Sequence, residues 1–224
     1  MSAEDADDSY QGLSSACMQS VCQLQFLLVL DIEGGIESMP DEVGLNLVQL
    51  TYSGLIGSNL DKLPRTLEVL KIQQLKHLLM CDSINNGGVR VPKEIGILVN
   101  LQTRKGVYAR DGIVNELATL TQFRKLNVTR VSEDHASDLA SAIMKMENLI
   151  SLSLETEMAY FGSTRSQSEF EPFSPPHLLQ EIKLVGALVD MPSRLASMDN
   201  LTKLYLTYSD LSENQFQSFN IFPN

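Results

Sequence analysis

The feature of this sequence that most restricts its fold is a spacing of leucines that fits neither a helix nor a single half-buried strand. In MENLISLSLETE, residues 146–157, leucines stand at positions 149, 152 and 154. An amphipathic helix would repeat its apolar residues at three, four and seven positions, and a half-buried strand would alternate from its first residue. A spacing of three and then two therefore requires a different arrangement.

The same apolar spacing recurs along the whole chain. A further copy, LQTRKGV from Leu101, keeps the first leucine but has Arg104 and Gly106 at the second and third positions. The first positions are separated by about 22 residues on average, which is a period typical of repeat proteins. The regular copies begin at Leu27, Leu47, Leu67, Leu75, Phe123, Leu149, Leu179 and Leu201.

A short strand at the end of each copy explains the spacing. Side chains of a strand alternate between its two faces, so the last two apolar residues of a copy point the same way. One copy cannot bury its apolar edge alone, but copies stacked side by side merge these side chains into one core. We therefore predict an α/β leucine-rich-repeat solenoid of about 8–9 irregular repeats over residues 21–224, with short parallel strands on its concave face. Loops and short helices are expected on the convex face.

A proline motif accompanies several strand motifs and points to turns or first turns of helices, where proline fits best. The strand copies at Leu67 and Leu75 are too close for a complete return of the chain between them. We therefore predict that the sheet is least regular between residues 63 and 91, with one of these two strands short or displaced. The prolines of the motif are Pro40, Pro64, Pro92 and Pro192.

Three segments depart from the strand pattern. Residues 132–149 have a candidate N-cap at Ser132 and apolar residues at helical spacing, which predicts a helix with one buried face. Residues 158–176 contain serines, aromatic residues and prolines that break the period, which predicts a loop insertion. Residues 1–20 begin with a cluster of acids and are predicted to form a disordered or irregular acidic segment.

Arg104 occupies a position that the repeat directs into the core. A charged side chain there must be paired or must turn out to solvent. We therefore expect a distorted strand, with the guanidinium reaching the surface or a carboxylate such as Asp111.

Charge, cysteine content and the length of apolar runs indicate which partners and which compartment to expect. The formal net charge of −11 would repel phosphate backbones and anionic lipid, so nucleic acid is not an expected partner. The three cysteines lack metal or redox spacing, which indicates a reducing compartment. No apolar run is long enough to span a membrane, and no secretory signal is visible, so we expect a cytoplasmic protein.

The sequence contains no recognisable catalytic, metal or cofactor site. The three histidines, His77, His135 and His177, lie in different repeats without cysteines or carboxylates at ligand spacing. Neither a phosphate-binding loop nor a nucleophile elbow is present. We therefore expect neither an enzyme nor a bound cofactor.

The remaining candidate site is the concave face, on which repeat solenoids bind partners. The residue between the last two apolar positions of each copy should be exposed there. Tyr205 is the strongest candidate anchor, and Lys183 and Lys203 would supply positive charge beside it. The predicted protein-binding residues are Asp31, Thr51, Lys71, Leu79, Lys105, Asn127, Ser153, Lys183, Lys203 and Tyr205.

Longer phrases around these motifs carry a family resemblance. They are LLVLDIEGGIESMPDEVG, LKHLLM, GGVRVPKEIGILVNLQT, LTQFRKLNVTRVSEDHASDLASAIMKMENLISLSLE and LVGALVDMPSRLASMDNLTKLYL. In these phrases the chain resembles the leucine-rich-repeat region of plant intracellular immune receptors of the coiled-coil NLR class. The resemblance covers roughly residues 20–224, and the succession of VPKEIG, NLQT and LTQFRKL is specific to this family.

The resemblance implies a protein-recognition module of a disease resistance protein, binding a pathogen effector or a guarded host protein during plant defence. Such receptors also carry a signalling coil and a nucleotide-binding module, which are expected only in a longer parent chain because no GxxxxGK[ST] loop occurs here. The sequence looks like a truncated piece of a longer solenoid. A free-standing intracellular leucine-rich-repeat scaffold without an immune role is the alternative, and the chain's genomic context would separate the two.

Overall fold

Eight short strands form a single parallel sheet in the computed structural model, and they follow one another across the sheet in chain order. The structure describes residues 13–36, 38–56, 66, 74–81, 95–96, 98–109, 112–156, 174–186 and 198–207. Within these residues the chain is an α/β solenoid, as the apolar period predicts.

The strands contain five to seven residues each, and the described part of the chain has four helices between or before them. The strands are β1 Val29–Glu33, β2 Tyr52–Ile56, β3 His77–Cys81, β4 Thr103–Tyr108, β5 Lys125–Val131, β6 Ser151–Thr156, β7 Glu181–Val185 and β8 Lys203–Thr207. The helices are α1 Ser15–Val21, α2 Glu42–Asn46, α3 Ile113–Leu117 and α4 Glu133–Met144.

The core is a column of inward side chains contributed by successive strands. Leu126, Leu152 and Ile182 stand at matched positions of β5, β6 and β7, and all three are buried. Each leucine or isoleucine of this kind contributes about 1.5–3 kcal/mol when it leaves water. Because matched inward residues of neighbouring strands adjoin one another, an internal strand is stabilised by the strands on both sides of it.

Two helices show how the returning chain covers this core. Helix α4 begins after Ser132, its predicted N-cap, and the Ser132 hydroxyl contacts Nδ1 of His135 at 2.8 Å. Pro40 precedes the first turn of α2, as the proline motif predicts. The predicted apolar face of α4 is buried along its whole length and consists of Ala136, Leu139, Ala140, Ile143 and the following Met146.

The amino-terminal prediction is wrong in its last part. Ser15–Val21 form helix α1 instead of an irregular segment, and the Ser14 hydroxyl caps it by accepting from the Cys17 backbone N–H. Met18 of this helix and the following Cys22 are fully buried in the main core cluster. The rest of the domain division stays a prediction, because residues 1–12 and residues 158–173 of the predicted loop insertion lie outside the described residues.

The second repeat is displaced by three residues from its predicted frame. The inward residues are Leu50, Ser53 and Leu55, all of them buried, whereas the expected frame began at Leu47 and ended at Tyr52. Leu47 and Leu50 are three residues apart, so a copy can begin at either of them. The frame that begins at Leu50 has the polar Ser53 at its second inward position, and the apolar pattern therefore did not indicate it. With this frame, strands β1 to β3 are more evenly spaced along the chain than the predicted strand copies are.

Among the described residues between 63 and 91 the sheet is regular, contrary to the prediction. All five residues of β2 pair directly with β3, for example Tyr52 with His77. The register shifts lie at β4 and β5 instead. The other half of the expectation, that one of the two crowded strands is short or displaced, stays a prediction. Residues 67–73 and the prolines Pro64, Pro92 and Pro192 lie outside the described residues.

The irregular copy in β4 restores its inward pattern by a bulge. The register between β4 and β5 shifts between Arg104 and Val107, and Gly106 adopts a positive φ of 84°. Such a φ suits glycine, which has no Cβ to clash with the backbone. Val107 therefore takes the inward position opposite Val128, where the sequence frame placed Gly106.

The prediction that Arg104 turns out to solvent is wrong. Its side chain is 1% exposed and occupies the core column between Leu78 of β3 and Leu126 of β5. None of its three guanidinium nitrogens has a hydrogen-bond partner among the described residues, and Asp111 lies outside them. Burial lowers the pKa of Arg104 to about 9, so the guanidinium enters the core as a cation at neutral pH.

Replacing Arg104 by leucine is expected to stabilise the fold. Arg104→Leu removes a buried charge and fills the column with the side chain that the other repeats use, so the free energy of unfolding should rise by about 1–3 kcal/mol. Urea unfolding followed by circular dichroism measures this change. Lys105→Leu, on the exposed neighbour, is the matched control and should change stability little; a loss of stability in Arg104→Leu would contradict the account.

The gain in stability from Arg104→Leu should also depend on pH. Below pH 9 both the folded and the unfolded state hold the Arg104 proton, so the cost of burying the charge is fully present. Above pH 9 the folded state releases the proton first, so the stability of the wild type rises relative to Arg104→Leu. The difference between the two proteins should be about 1.4 kcal/mol smaller at pH 10 than at pH 7. A difference that stays constant between these pH values would show that the guanidinium is solvated.

Candidate functional site

The open face of the sheet, opposite the core, carries a row of residues that is in register from β1 to β4 and again from β5 to β8, with the β4 bulge between the two halves. At one end the row runs from Asp31 on β1 through Gly54 and Leu79 to Lys105 on β4. At the other end the row continues from β5 to β8 with Asn127, Ser153, Lys183 and Tyr205. The register thus brings most of the predicted concave residues into one line.

Three of the predicted residues are not placed in that line. Thr51 precedes β2, and its hydroxyl donates to the Leu28 carbonyl oxygen at 2.9 Å, so its assignment to the row is wrong and Gly54 occupies that place. Lys71 lies outside the described residues. Lys203 stands two residues before Tyr205 on β8 and is exposed on the same face.

The acidic end of the row is held by a contact between β1 and β2. The Tyr52 hydroxyl hydrogen-bonds the Asp31 carboxylate, and burial, together with that carboxylate, raises the pKa of Tyr52. A Cβ on Gly54 would overlap the Asp31 carboxylate, so glycine leaves the space that Asp31 occupies. The Tyr52 ring lies 6.2 Å from the His77 ring, centroid to centroid, which extends this cluster to β3.

The middle of the row is fixed by Asn127. Its Oδ1 accepts the Gly106 backbone N–H at 3.0 Å, and its Nδ2 donates to the Ser153 hydroxyl at 2.8 Å. The Asn127 side chain therefore provides an acceptor for the Gly106 N–H, which the β4 bulge removes from the strand pairing. The same side chain links β4 to β6. Sequence reasoning placed Asn127 on this face, but nothing in the repeat pattern indicates the bridge.

A second bulge positions a cation that sequence reasoning missed. The register between β5 and β6 shifts between Val128 and Val131, and Arg130 adopts a φ of 55°. Its guanidinium carbon lies 4.5 Å above the centroid of the Tyr108 ring on β4, a favourable cation–π contact. In the sequence, Tyr108 two residues after Gly106 was the feature that could have indicated this contact.

Charged groups of both signs meet at the other end. Burial raises the pKa of Glu155 on β6, and the positive charge of Lys183 on β7 opposes that effect. Tyr205 on β8 is in register with Lys183 and is 48% exposed. This end therefore offers an aromatic surface beside ionisable groups, a combination suited to contact with another protein.

Metal binding and membrane insertion find no support in the described part of the chain. No group of three histidine, cysteine, aspartate or glutamate residues there is placed to hold a metal ion. Within the same residues, no helix has the length and apolar character needed to cross a bilayer.

The fold and this open face define a repeat solenoid of the kind that binds other proteins. The family profile described as "Leucine-rich repeat region" matches residues 4–224, and the chain belongs to that family. The family resemblance found in the sequence is thereby confirmed.

Two known proteins resemble parts of the chain. Over 141 residues, 61% of its length, it is 29% identical to "Disease resistance protein RPM1" of Arabidopsis thaliana. It spans only 14% of the length of that relative. Among solved structures, the LRR protein LIC12759 of Leptospira interrogans matches with a TM-score of 0.56 and 21% identity, over 92% of this chain and 54% of that one. At that identity the match concerns the fold alone.

Adding a methyl group at Gly54 tests the contact between the first two strands. Gly54→Ala should displace the Asp31 carboxylate and break its hydrogen bond with Tyr52, at a cost of about 1 kcal/mol in the free energy of unfolding. In an Asp31→Ala background the same substitution should cost much less, because the space is then free. Urea unfolding of the four proteins measures this coupling, and equal costs in both backgrounds would rule the contact out.

Proposed function

We propose that this chain is the protein-recognition module of a plant intracellular disease resistance protein of the NLR class. Its open face would bind a pathogen effector or a guarded host protein in the cytoplasm during the defence response. The observation that carries the proposal is the open face itself, a sheet surface eight strands wide on which the outward residue differs from one strand to the next.

Sequence similarity supports the plant context. The relative with 29% identity over 141 residues is named a disease resistance protein, and the match covers more than half of this chain. Since the match covers only 14% of that relative, its other activities belong to parts that this chain does not match. Signalling and nucleotide binding are therefore assigned to a longer parent chain.

The arrangement of the face favours binding over catalysis. Its polar groups are spread along a row, and neighbouring strands are about 4.8 Å apart, so they do not converge on one reacting atom. A protein partner, in contrast, touches several strands at once, and a few well-packed anchors dominate such an interface. Tyr205 is the proposed anchor, with Lys183 one strand away.

An interaction screen followed by variant binding tests this function. The wild-type chain serves as bait, and each protein recovered is purified and its affinity measured by surface plasmon resonance. A true partner should lose about 2 kcal/mol or more of binding free energy with Tyr205→Ala, the threshold for an anchor residue. Lys183→Ala should mainly slow association at low salt, because exposed charges act on encounter.

Lys145→Ala is the matched control, since Lys145 is exposed at the end of α4, away from the open face. It should leave both affinity and association rate unchanged, and circular dichroism confirms that all variants fold. Equal binding by wild type, Tyr205→Ala and Lys183→Ala would place the interface elsewhere. Saturable nucleotide turnover by the purified chain would contradict the proposal.

A further inference from the structure

Strands β3, β4 and β5 form a band across the open face whose residues include no aspartate or glutamate. Strand β2 beside it also lacks acids, and the strands with carboxylates are β1 on one side and β6 and β7 on the other. Strand β1 carries Asp31 and Glu33, and strands β6 and β7 carry Glu155 and Glu181. In a chain with a formal net charge of −11, this absence of acids on three successive strands is a local reversal of the overall charge.

Two of these strands, β4 and β5, bear exposed cations. Lys105 on β4 and Lys125 on β5 are both exposed, and Lys125 is in register with Thr103, so the two lysines are diagonal neighbours across the strand pair. Arg130 is exposed farther along β5 and is held over the Tyr108 ring. Lys105, Lys125 and Arg130 define what we call the basic band.

We infer that the basic band binds a short acidic segment of a protein partner. This inference rests on the proposed function, because it names the kind of surface that a partner would present to the open face. The three cations attract carboxylates, and their arrangement along β4 and β5 favours a segment that lies along the strand direction. Complementary charge of this kind chiefly sets the choice of partner and the rate of encounter.

The surroundings of the basic band favour a peptide segment over a nucleic acid. Parallel strands are about 4.8 Å apart, so the distance from β3 to β5 is about 10 Å and suits a single extended chain. A nucleic acid carries its phosphates without interruption and would meet Asp31 and Glu33 on one side and Glu155 on the other. A short acidic segment can end before it reaches these groups.

Apolar groups next to the cations narrow the partner further. Leu79 on β3 and Tyr108 on β4 are half-buried, so each presents part of an apolar side chain beside the lysines. The Asn127 bridge to Gly106 and Ser153 fixes the backbone beneath these groups before any partner arrives. The expected segment therefore combines several carboxylates with an aliphatic or aromatic residue, and the site needs little rearrangement to accept it.

Nuclear magnetic resonance titration of the whole chain tests the inference directly. The probe is a synthetic ten-residue peptide with six glutamates and two leucines, and its counterpart has glutamine at every glutamate. With isotope-labelled protein in 20 mM salt, the glutamate peptide should shift amide signals of residues 103–108 and 125–131. The glutamine peptide should bind at least ten times more weakly, and 150 mM salt should weaken the glutamate peptide.

Charge reversal on the basic band is compared with charge reversal elsewhere. The double variant Lys105→Glu, Lys125→Glu should lower affinity for the glutamate peptide at least tenfold. Lys145→Glu changes the net charge by half as much at the end of α4 and should alter affinity less than twofold. Because both sites are exposed, the amide spectra of the variants should show that the fold is kept.

Four outcomes would overturn the inference. These are no shifts up to 1 mM glutamate peptide, shifts confined to residues outside β3–β5, equal affinity of the double variant, or tighter binding of a single-stranded oligothymidylate than of the peptide. None of them removes the proposed function. A partner whose binding is lost with Tyr205→Ala but kept with the double lysine variant would retain recognition by the open face and reject the acidic segment.

Discussion

The structure depends on one constraint, which is that no repeat can bury its own apolar side chains. Each short strand offers two or three inward residues, and these leave water only when a neighbouring strand stands beside them. The column formed by Leu78, Leu126 and Leu152 is therefore shared by all internal strands. Arg104 interrupts this column between Leu78 and Leu126, and its buried charge has no hydrogen-bond partner among the residues that the structure describes.

The same constraint leaves the opposite face of the sheet free to vary. Because the inward residues hold the strands in place, the outward residues can be aspartate, leucine, lysine, serine or tyrosine without loss of the core. Two bulges add local shape to this face, one at Gly106 and one at Arg130. The Asn127 bridge stabilises the first, and the contact with Tyr108 stabilises the second.

The apolar spacing predicts the fold and most of the exposed row, because the strand period determines both. It fails where a polar residue occupies an inward position. Because Ser53 is polar, the frame of β2 was predicted wrongly and Thr51 was assigned to the exposed row. Arg104 was expected to reach the surface, but it is buried in the core. The spacing also carries no information on bulges, so the contact between Arg130 and Tyr108 required the structure.

The central claim is that the open face is the recognition surface. Hydroxyl-radical footprinting tests it by comparing the free chain with the chain bound to a partner that an interaction screen has recovered. Tyr205 on that face and Met144 on α4 are 48% and 38% exposed, so both report on solvent access in the free protein. The account predicts that the partner protects Tyr205 and leaves Met144 as reactive as before. Protection of Met144 with Tyr205 unchanged would contradict it.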